Sequence, residues 1–229
     1  MGGENRYTVP RMNQGQELAD IEVWHWWHQT RYRLARAALL GYAPGHRKAH
    51  IGELDCGSGG LLRFLQGRGF SDLTGFESSA EAVGQVRRRG IECSQADLTG
   101  DFRLKGAPFD ALVAMDLLNQ VPDQGRLLAN VRENLRPGGA ILLTVPAYLR
   151  ITRSGLRDLL ANAGFEPVRV SHCFAFLSLL SGGSPTPPEW LNGVLLALGR
   201  CETTWLRWWD LPMGSALVAV GRKPRDLLS

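Results

Sequence analysis

The stretch His50-Ile-Gly-Glu-Leu-Asp-Cys-Gly-Ser-Gly-Gly-Leu-Leu-Arg-Phe-Leu65 decides the fold of this chain. Its first part predicts a β-strand that ends at Asp55, and the run 61–65 predicts the start of a helix. Glycines between a strand and a helix let the backbone approach a ligand closely, and the following helix directs its positive end at that ligand. The stretch therefore predicts a ligand-binding loop built on Gly57 and Gly59.

Two common phosphate-binding loops do not fit this stretch. A dinucleotide-binding loop of the form G-x-G-x-x-G needs a third glycine at position 62, where the chain has Leu62. A nucleoside-triphosphate loop needs Gly-Lys-Ser/Thr, which does not follow Gly59. The glycines alone are a weak signal, so the ligand has to be inferred from other strand ends.

Strand and helix patterns alternate along the rest of the chain. Apolar runs predict strands over 73–76, 91–96, 109–115, 140–145, 167–171 and 216–221. Repeated strand and helix units predict an α/β fold with a mostly parallel sheet and helices on both faces. Ligands bind such sheets at the carboxyl ends of the strands.

Three acidic side chains lie in or directly after the predicted strands. Glu53 lies in the first, Glu77 ends the second and Asp97 follows the third. One carboxylate at a strand end can accept hydrogen bonds from both hydroxyls of a ribose, and another can accept from the exocyclic amine of a purine. The alternative is that Glu77 and Asp97 only cap helices or turns. Their joint spacing after a glycine loop favours a nucleoside site.

Successive segments resemble the motifs of class I S-adenosylmethionine-dependent methyltransferases, and the resemblance covers residues 20–222. The segments are Glu53-Leu-Asp-Cys-Gly-Ser-Gly59, Gly75-Phe-Glu77, Gln95-Ala-Asp97, Phe109-Asp-Ala-Leu-Val113, Val121-Pro-Asp123 and Leu135-Arg-Pro-Gly-Gly139. The segments 24–31 and 211–224 resemble a bacterial small-molecule branch of that family. The resemblance implies a Rossmann-like, seven-stranded sheet whose last strand is antiparallel. The sequence pattern itself predicts a helical insertion before that strand.

The resemblance also implies S-adenosylmethionine as the cofactor. It places Gly57 and Gly59 near the methionine moiety, Glu77 on the ribose, Asp97 by the adenine and Arg31 near the cofactor carboxylate. The further cofactor contacts expected are Trp27, Glu53, Asp55, Cys56, Ser78, Leu98, Met115 and Asp116.

The chain departs from the family pattern at three places. Asp55 stands where the family usually has glycine, which puts a negative charge close to the sulfonium. Asn119-Gln120 replaces an acidic-His pair that often follows the fourth strand, so no proton-transfer role is assigned there. The segment after Tyr148 leads almost directly into the next helix, so part of the expected acceptor wall is absent.

A general base is needed only if the methyl acceptor carries a proton at the working pH. We expect His28 and Tyr148 to be the catalytic candidates; the alternatives are a surface position for His28 and a packing role for Tyr148. Asn119, Tyr148 and Trp205 are the expected substrate contacts. Cys56 is interpreted as packing, and no cluster of residues has the spacing of metal ligands.

These observations favour methyl transfer to a small apolar metabolite. One alternative is a repurposed fold that binds the cofactor without methyl transfer, or uses it for other chemistry. Another is a macromolecule methyltransferase, although Met115-Asp-Leu-Leu-Asn119 replaces the Asn/Asp-Pro-Pro-aromatic motif expected for methylation of a base amine.

The expected domains are an N-terminal helical lid (1–48), a cofactor-binding domain (49–222) and a tail (223–229). Within the second, residues 174–209 are expected to form a helical cap that shapes an apolar acceptor pocket or a homodimer contact. The alternative is an extra helical layer without a ligand role.

Composition excludes several classes of protein. With 229 residues, 44% hydrophobic and 21% charged, the chain is not disordered, collagenous or a coiled coil. Four separated cysteines indicate neither a disulfide scaffold nor a zinc site and favour a reducing compartment. The net charge of +4 is scattered along predicted helices, so no nucleic-acid partner is expected. Without a signal-like region or an apolar run of about 20 residues, a cytoplasmic protein is expected.

Overall fold

The computed structural model describes residues 21–146, 151–175 and 187–225. The strands are β1 (Ile51–Leu54), β2 (Leu73–Glu77), β3 (Glu92–Gln95), β4 (Phe109–Met115), β5 (Leu135–Pro146), β6 (Glu166–Cys173) and β7 (Ala216–Arg222). The helices are α1 (Trp26–Tyr42), α2 (Gly60–Gln66), α3 (Ala80–Arg88), α4 (Gln124–Glu133), α5 (Arg153–Asn162) and α6 (Glu189–Trp205).

One seven-stranded sheet forms the centre of the molecule, with the order β3-β2-β1-β4-β5-β7-β6. All neighbouring strands are parallel except β7, which runs antiparallel to both β5 and β6. The predicted α/β class, the Rossmann-like sheet and the antiparallel last strand are confirmed. The strand order reverses between β1 and β4, which is where sheets of this kind form their ligand crevice.

Alternating residues along each strand supply two layers of core. On one face, Ile51, Val113 and Val218 pack with α1, α2 and α6; on the other, Leu112 and Leu143 pack with α4 and α5. Because side chains alternate along β1, Glu53 lies on the same face as Ile51, under α1. This periodicity is what brings a carboxyl group beneath the first helix.

Helix α6 packs along α1 as an additional helical layer. The Asn192 side chain accepts a hydrogen bond from the Trp26 backbone N–H at 2.9 Å and donates one to the Trp24 carbonyl at 2.9 Å. One face of α6 further along, at Gly199, lies directly against Thr30. The described part of the predicted cap is thus a helix packed on α1; residues 176–186 of that cap lie outside the described ranges.

Trp24 does not pack on the same face as Trp27, Arg31 and Leu34, although its spacing from them is helical. Trp24 is 41% exposed, whereas Trp26 is only 6% exposed. The reason is local: His25 is the N-cap of α1, and its Nδ1 accepts a hydrogen bond from the Trp27 N–H at 3.3 Å. The helical spacing therefore does not extend back to Trp24.

Within the described ranges, none of the helices has the length and apolar character that crossing a bilayer requires.

The docking of α6 on α1 predicts opposite effects for two glycines of the same helix. A Cβ atom at Gly199 would overlap Thr30, and overpacking of this kind costs about 1–3 kcal/mol. A Cβ atom at Gly193 meets nothing within 4 Å, so Gly193→Ala should stabilise by about 0.5–1 kcal/mol through helix propensity. In urea, the free energy of unfolding should be lower for Gly199→Ala than for the native protein, and higher for Gly193→Ala. Equal stabilisation by both would contradict the docking.

Candidate active site

The loop between β1 and α2 has three residues in the left-handed region of backbone space. These are Gly57 (φ 52°), Gly59 (φ 77°) and Asp55 (φ 58°). Glycine adopts this conformation freely, whereas aspartate tolerates it at a cost of roughly 1 kcal/mol. The Asp55 carboxylate accepts a hydrogen bond from Gln120 Nε2 at 2.9 Å, which ties the loop to the segment after β4. Asp55 thus keeps the glycine-like backbone while adding a carboxyl group.

Glu77, at the end of β2, lies beside this loop, as predicted. Its Oε2 accepts from the Gly57 N–H at 2.9 Å, and its Oε1 accepts from the Ser79 N–H at 3.1 Å and from Ser78 Oγ at 3.2 Å. The side chain is buried, with 6% exposed. Glu77 therefore joins the glycine loop to the start of α3, and an ionised carboxylate has further lone pairs for ligand hydroxyls.

Asp97 follows β3 and forms a turn. Its Oδ1 accepts hydrogen bonds from the Thr99 N–H at 2.9 Å and Thr99 Oγ1 at 2.7 Å, and both lower the pKa of this exposed carboxyl. The turn-capping alternative therefore holds for one oxygen of Asp97. Leu98 packs its side chain into the core beneath α4.

Arg31 connects α1 to the carboxyl end of β4. Its Nη2 lies 2.7 Å from Asp116 Oδ2, and Asp116 Oδ1 accepts a hydrogen bond from Thr144 Oγ1 at 3.1 Å. Asp116 directly follows the half-buried Met115 and has a positive φ of 64°, which turns the chain at the strand end. Arg31 therefore sits at the crevice between β1 and β4.

Trp27 lies one helical turn before Arg31 and packs against the far side of the crevice. The centre of its ring is 4.5 Å from that of Phe174, which follows β6, and 5.8 Å from the Arg31 guanidinium carbon. The aromatic contact and the cation–π contact together fix the orientation of α1 over the strand ends.

Glu53 provides a buried acceptor under Arg31. The residue is 6% exposed, and its Oε2 has no hydrogen-bond partner among the described residues. Burial raises the pKa of Glu53 well above its ordinary value and nearby Glu22 raises it further, while Arg31 opposes the shift. Buried polar atoms in folded proteins are nearly always paired. An unpartnered carboxyl oxygen beside the loop therefore fits a bound group that donates hydrogen bonds or carries positive charge.

Glu22 belongs to the site and was not predicted. Its carboxyl accepts a hydrogen bond from Ser58 Oγ in the middle of the loop and contacts the Tyr32 hydroxyl. Arg89 donates to the Ser58 carbonyl from below, at 2.6 Å. A Cβ atom at position 60 would overlap Glu22 and Tyr32, so Gly60 is needed for this close approach. Glu22 and Ser58 are 36 positions apart in the chain, so no local pattern of the sequence indicates this contact.

The predicted catalytic and substrate residues are only partly brought together. His28 lies on α1 near Arg31; burial, with Arg31 and His25, lowers its pKa to about 4, so the ring is neutral at pH 7 and a weak base. Asn119 ends the short 3₁₀ helix after β4, and its Oδ1 is buried without a partner in the described structure. Tyr148 lies outside the described residues.

Trp205 is not part of this group in the structure. It is 57% exposed at the end of α6, about 20 Å along the helix axis from Asn192, which lies beside the start of α1. Its side chain faces outward, away from α1.

Cys56 has the surroundings of a packing residue. Its Sγ lies 3.8 Å from Cys93 Sγ, and this contact together with burial raises the pKa of the Cys56 thiol. A thiol that resists ionisation is a poor nucleophile. In the described part of the chain, no three His, Cys, Asp or Glu side chains are grouped as metal ligands would be.

A cavity of about 420 Å³ lies elsewhere, between the second half of α1, the end of α6 and β7. Its lining includes Tyr42, Leu206 and Val220 and no residue of the glycine loop. Its position separates it from the crevice between β1 and β4.

Comparison with known proteins gives consistent results. The sequence profile described as "Methyltransferase domain" matches residues 26–157. A trans-aconitate 2-methyltransferase of Deinococcus radiodurans is 32% identical over 128 residues, which is 55% of this chain and 48% of that protein. A ubiquinone biosynthesis O-methyltransferase of Xylella fastidiosa is 28% identical over 129 residues, 52% of this chain and 49% of that protein. The chain thus spans about half the length of these curated relatives.

Solved structures share the fold at low sequence identity. The plantazolicin methyltransferase BpumL, solved with SAH, has a TM-score of 0.61 at 17% identity and covers 96% of this chain and 92% of its own. A methyltransferase solved with the Haloferax volcanii Trm112 methyltransferase activator has a TM-score of 0.63 at 19% identity, with 94% and 96% covered.

The profile match covers more than half of the chain and includes α1, the glycine loop, Glu77 and Asp116. The chain belongs to the class I S-adenosylmethionine-dependent methyltransferase family.

Proposed function

We propose that this protein transfers a methyl group from S-adenosylmethionine to a small molecule. The observation that carries the proposal is a pair of groups at the loop: the unpartnered buried carboxyl oxygen of Glu53 and the guanidinium of Arg31. The amino-acid end of the cofactor is a zwitterion. Its ammonium would donate to Glu53 and its carboxylate would accept from Arg31.

When bound, the cofactor supplies a methyl group that is already activated on a sulfonium. The protein then has to position the acceptor and exclude water. We assign these tasks to α1 with residues 21–25, as a lid held by three contacts. They are Arg31 to Asp116, Trp27 to Phe174, and Glu22 to Ser58.

The proposed acceptor is a small apolar metabolite that needs little help to lose a proton. Trp27, Met115 and Phe174 supply apolar surface at the strand ends, and Asn119 supplies a buried amide. With a pKa of about 4, His28 can accept a hydrogen bond but is too weakly basic to ionise an alcohol. The matched relative named as a ubiquinone biosynthesis O-methyltransferase supports an oxygen as the attacking atom.

Binding without transfer is a second candidate, and Asp55 is the observation that favours it. Its carboxyl stands in the loop where the family usually has glycine, and burial raises its pKa, with Glu77 adding to the shift.

Incubation with a methyl-labelled cofactor and a panel of small carboxylic and phenolic acids separates the two candidates. Label transfer to any acid supports the enzyme, whereas tight cofactor binding without transfer across the panel supports the alternative.

Removal of the Arg31 charge should affect only ligands that carry the cofactor carboxylate. Arg31→Met should weaken S-adenosylmethionine binding about 10- to 100-fold, since a hydrogen bond to a charged group contributes about 1.5–3 kcal/mol. Affinity for the decarboxylated cofactor should change less than about 3-fold. Arg33→Met, on the same helix but bonded to the Gln29 carbonyl, is the control. If calorimetry shows that Arg31→Met loses the same affinity for both ligands, the assignment of Arg31 is contradicted.

Glu77 should contribute to cofactor affinity through its charge. Glu77→Gln keeps the size of the side chain but not both acceptor oxygens, so binding of S-adenosylhomocysteine should weaken about 10- to 100-fold. Glu81→Gln, at an exposed acid in the first turn of α3, should leave the affinity unchanged. An unchanged affinity in Glu77→Gln would remove the ribose assignment.

His28 should make the fold sensitive to acid. The pKa of His28 is about 4 in the folded protein, against an ordinary value of 6.5. The His28 ring of the unfolded chain therefore binds a proton more tightly than that of the folded protein. The free energy of unfolding consequently falls as the pH drops below about 6.5. His28→Gln should reduce the loss of unfolding free energy between pH 7 and 5 by about 1–2 kcal/mol. His46→Gln, at an exposed histidine, is the control. This role would be refuted if the native protein and His28→Gln lost the same unfolding free energy between pH 7 and 5.

A further inference from the structure

The cavity between the second half of α1, the end of α6 and β7 has no part in the proposed methyl transfer. Its volume of about 420 Å³ lies within the range of about 300–1,000 Å³ that is usual for small-molecule sites. Its lining comes from α1, β6, β7 and the end of α6, and includes none of the residues placed at the crevice between β1 and β4. A ligand of this cavity is therefore a different molecule from the cofactor bound at the crevice.

Small residues of α1 leave this space unfilled. Because Asn192 and Gly199 of α6 meet successive turns in the first half of α1, the two helices run side by side in the same direction. Further along, the part of α1 that lines the cavity includes Ala37, Ala38 and Gly41. A Cβ atom at Gly41 would meet nothing within 4 Å. Protein interiors are normally close-packed, so a space of this size beside the core is unusual.

The inner walls of the cavity are apolar. They consist of Leu34 on α1, Leu206 at the end of α6, and Val218 and Val220 on β7, all of which belong to the buried core. Removal of apolar surface from water is favourable, so these walls favour a ligand with an apolar body.

The charged groups at the cavity are mainly cationic. Arg169 and Arg207 both line it. Arg169 Nε lies 2.9 Å from Asp210 Oδ1, and Arg153 Nη2 lies 3.4 Å from Asp210 Oδ2, so this carboxylate is already paired. The Arg207 side chain forms no ion pair with any described residue. Arg207 is therefore the cation that a ligand can engage.

The rest of the lining favours an anionic ligand over a cationic one. The other polar side chains are Tyr42 and Thr203, which are uncharged hydroxyl groups. The Thr203 hydroxyl is placed for hydrogen bonds to the Gly199 and Arg200 carbonyls at 2.9 and 3.0 Å. No acidic side chain lines the cavity in the described part of the chain. A cationic ligand would therefore meet like charge along the lining.

We propose that this cavity is a second binding site, for a small apolar carboxylate. The apolar body of the ligand lies against Leu34, Val218 and Val220, and its carboxylate lies at Arg207. Guanidinium and carboxylate groups form charge-assisted hydrogen bonds, which orient the ligand with its head group towards the end of α6. An uncharged ligand of the same shape covers the same walls but forms no such bond.

Calorimetric titration with octanoate and with uncharged 1-octanol tests the role of Arg207. Reversing an exposed charge has a moderate effect, so Arg207→Glu should weaken octanoate binding about 10-fold and change 1-octanol binding less than about 3-fold. Arg200→Glu is the control, since Arg200 is an exposed arginine of α6 outside the lining. The cofactor is left out, so the result does not depend on the proposed function. No binding of octanoate to the native protein, or equal losses in both variants, would overturn the proposal.

Filling the cavity tests where the ligand binds. Ala38→Leu places a larger side chain in the lining, so it should weaken the binding of both octanoate and 1-octanol at least 10-fold. Ala82→Leu on α3 is the matched control, because Ala82 is also a partly buried helical alanine and does not line the cavity. A cooperative urea transition in each variant shows that it is folded. Octanoate binding to folded Ala38→Leu with the native affinity would place the ligand elsewhere and overturn the proposal.

Discussion

The arrangement of the site depends on the charge of Arg31 and its place between two carboxyl groups. Asp116 holds the guanidinium from the end of β4 at 2.7 Å, while Glu53 faces it from β1, buried and without a hydrogen-bond partner for Oε2 among the described residues. Removing a carboxyl group from water is costly unless a cation or a set of donors compensates it. Among the described residues, the buried Glu53 oxygen therefore lacks a donor, and an ammonium group of a ligand would supply one.

The sheet supplies the geometry for this interaction. Because the strand order reverses between β1 and β4, the chain leaves a crevice at their carboxyl ends. Glu53 pairs in register with Val113 of β4, so it lies directly below the helix that carries Arg31. Left-handed backbone at Asp55, Gly57 and Gly59 bends the chain away and keeps the crevice open. The sheet and α1 thus place the Glu53 carboxyl and the Arg31 guanidinium on the same side of the crevice.

The repeating parts of the molecule were predictable from the sequence. Strands and helices that bury one face carry a periodic pattern, and strand-end residues such as Glu77 and Asp116 can be located once the strands are placed. Contacts between distant segments could not be predicted. Glu22 meets Ser58 only because α1 folds over the loop, and Trp205 faces outward because Gly199 sets the side of α6 that docks.

The structure changes the interpretation of two features of the sequence. Asp97 has the expected position, yet one of its oxygens is used by the Thr99 turn, an interaction between near neighbours that is compatible with either interpretation. Trp24 matches the helical spacing but lies in a separate helical turn, residues 21–24, before the N-cap of α1 at His25. In both cases a local hydrogen bond, which hydrophobic periodicity does not report, decided the outcome.

We propose that Glu53 and Arg31 together recognise the amino-acid end of the cofactor. The most direct measurement is calorimetric binding of S-adenosylhomocysteine and of its analogue without the α-amino group, to the native protein and to Glu53→Gln. We expect the native protein to prefer the complete ligand by about 10-fold or more, and Glu53→Gln to lose most of this preference. An equal preference in both proteins would contradict it.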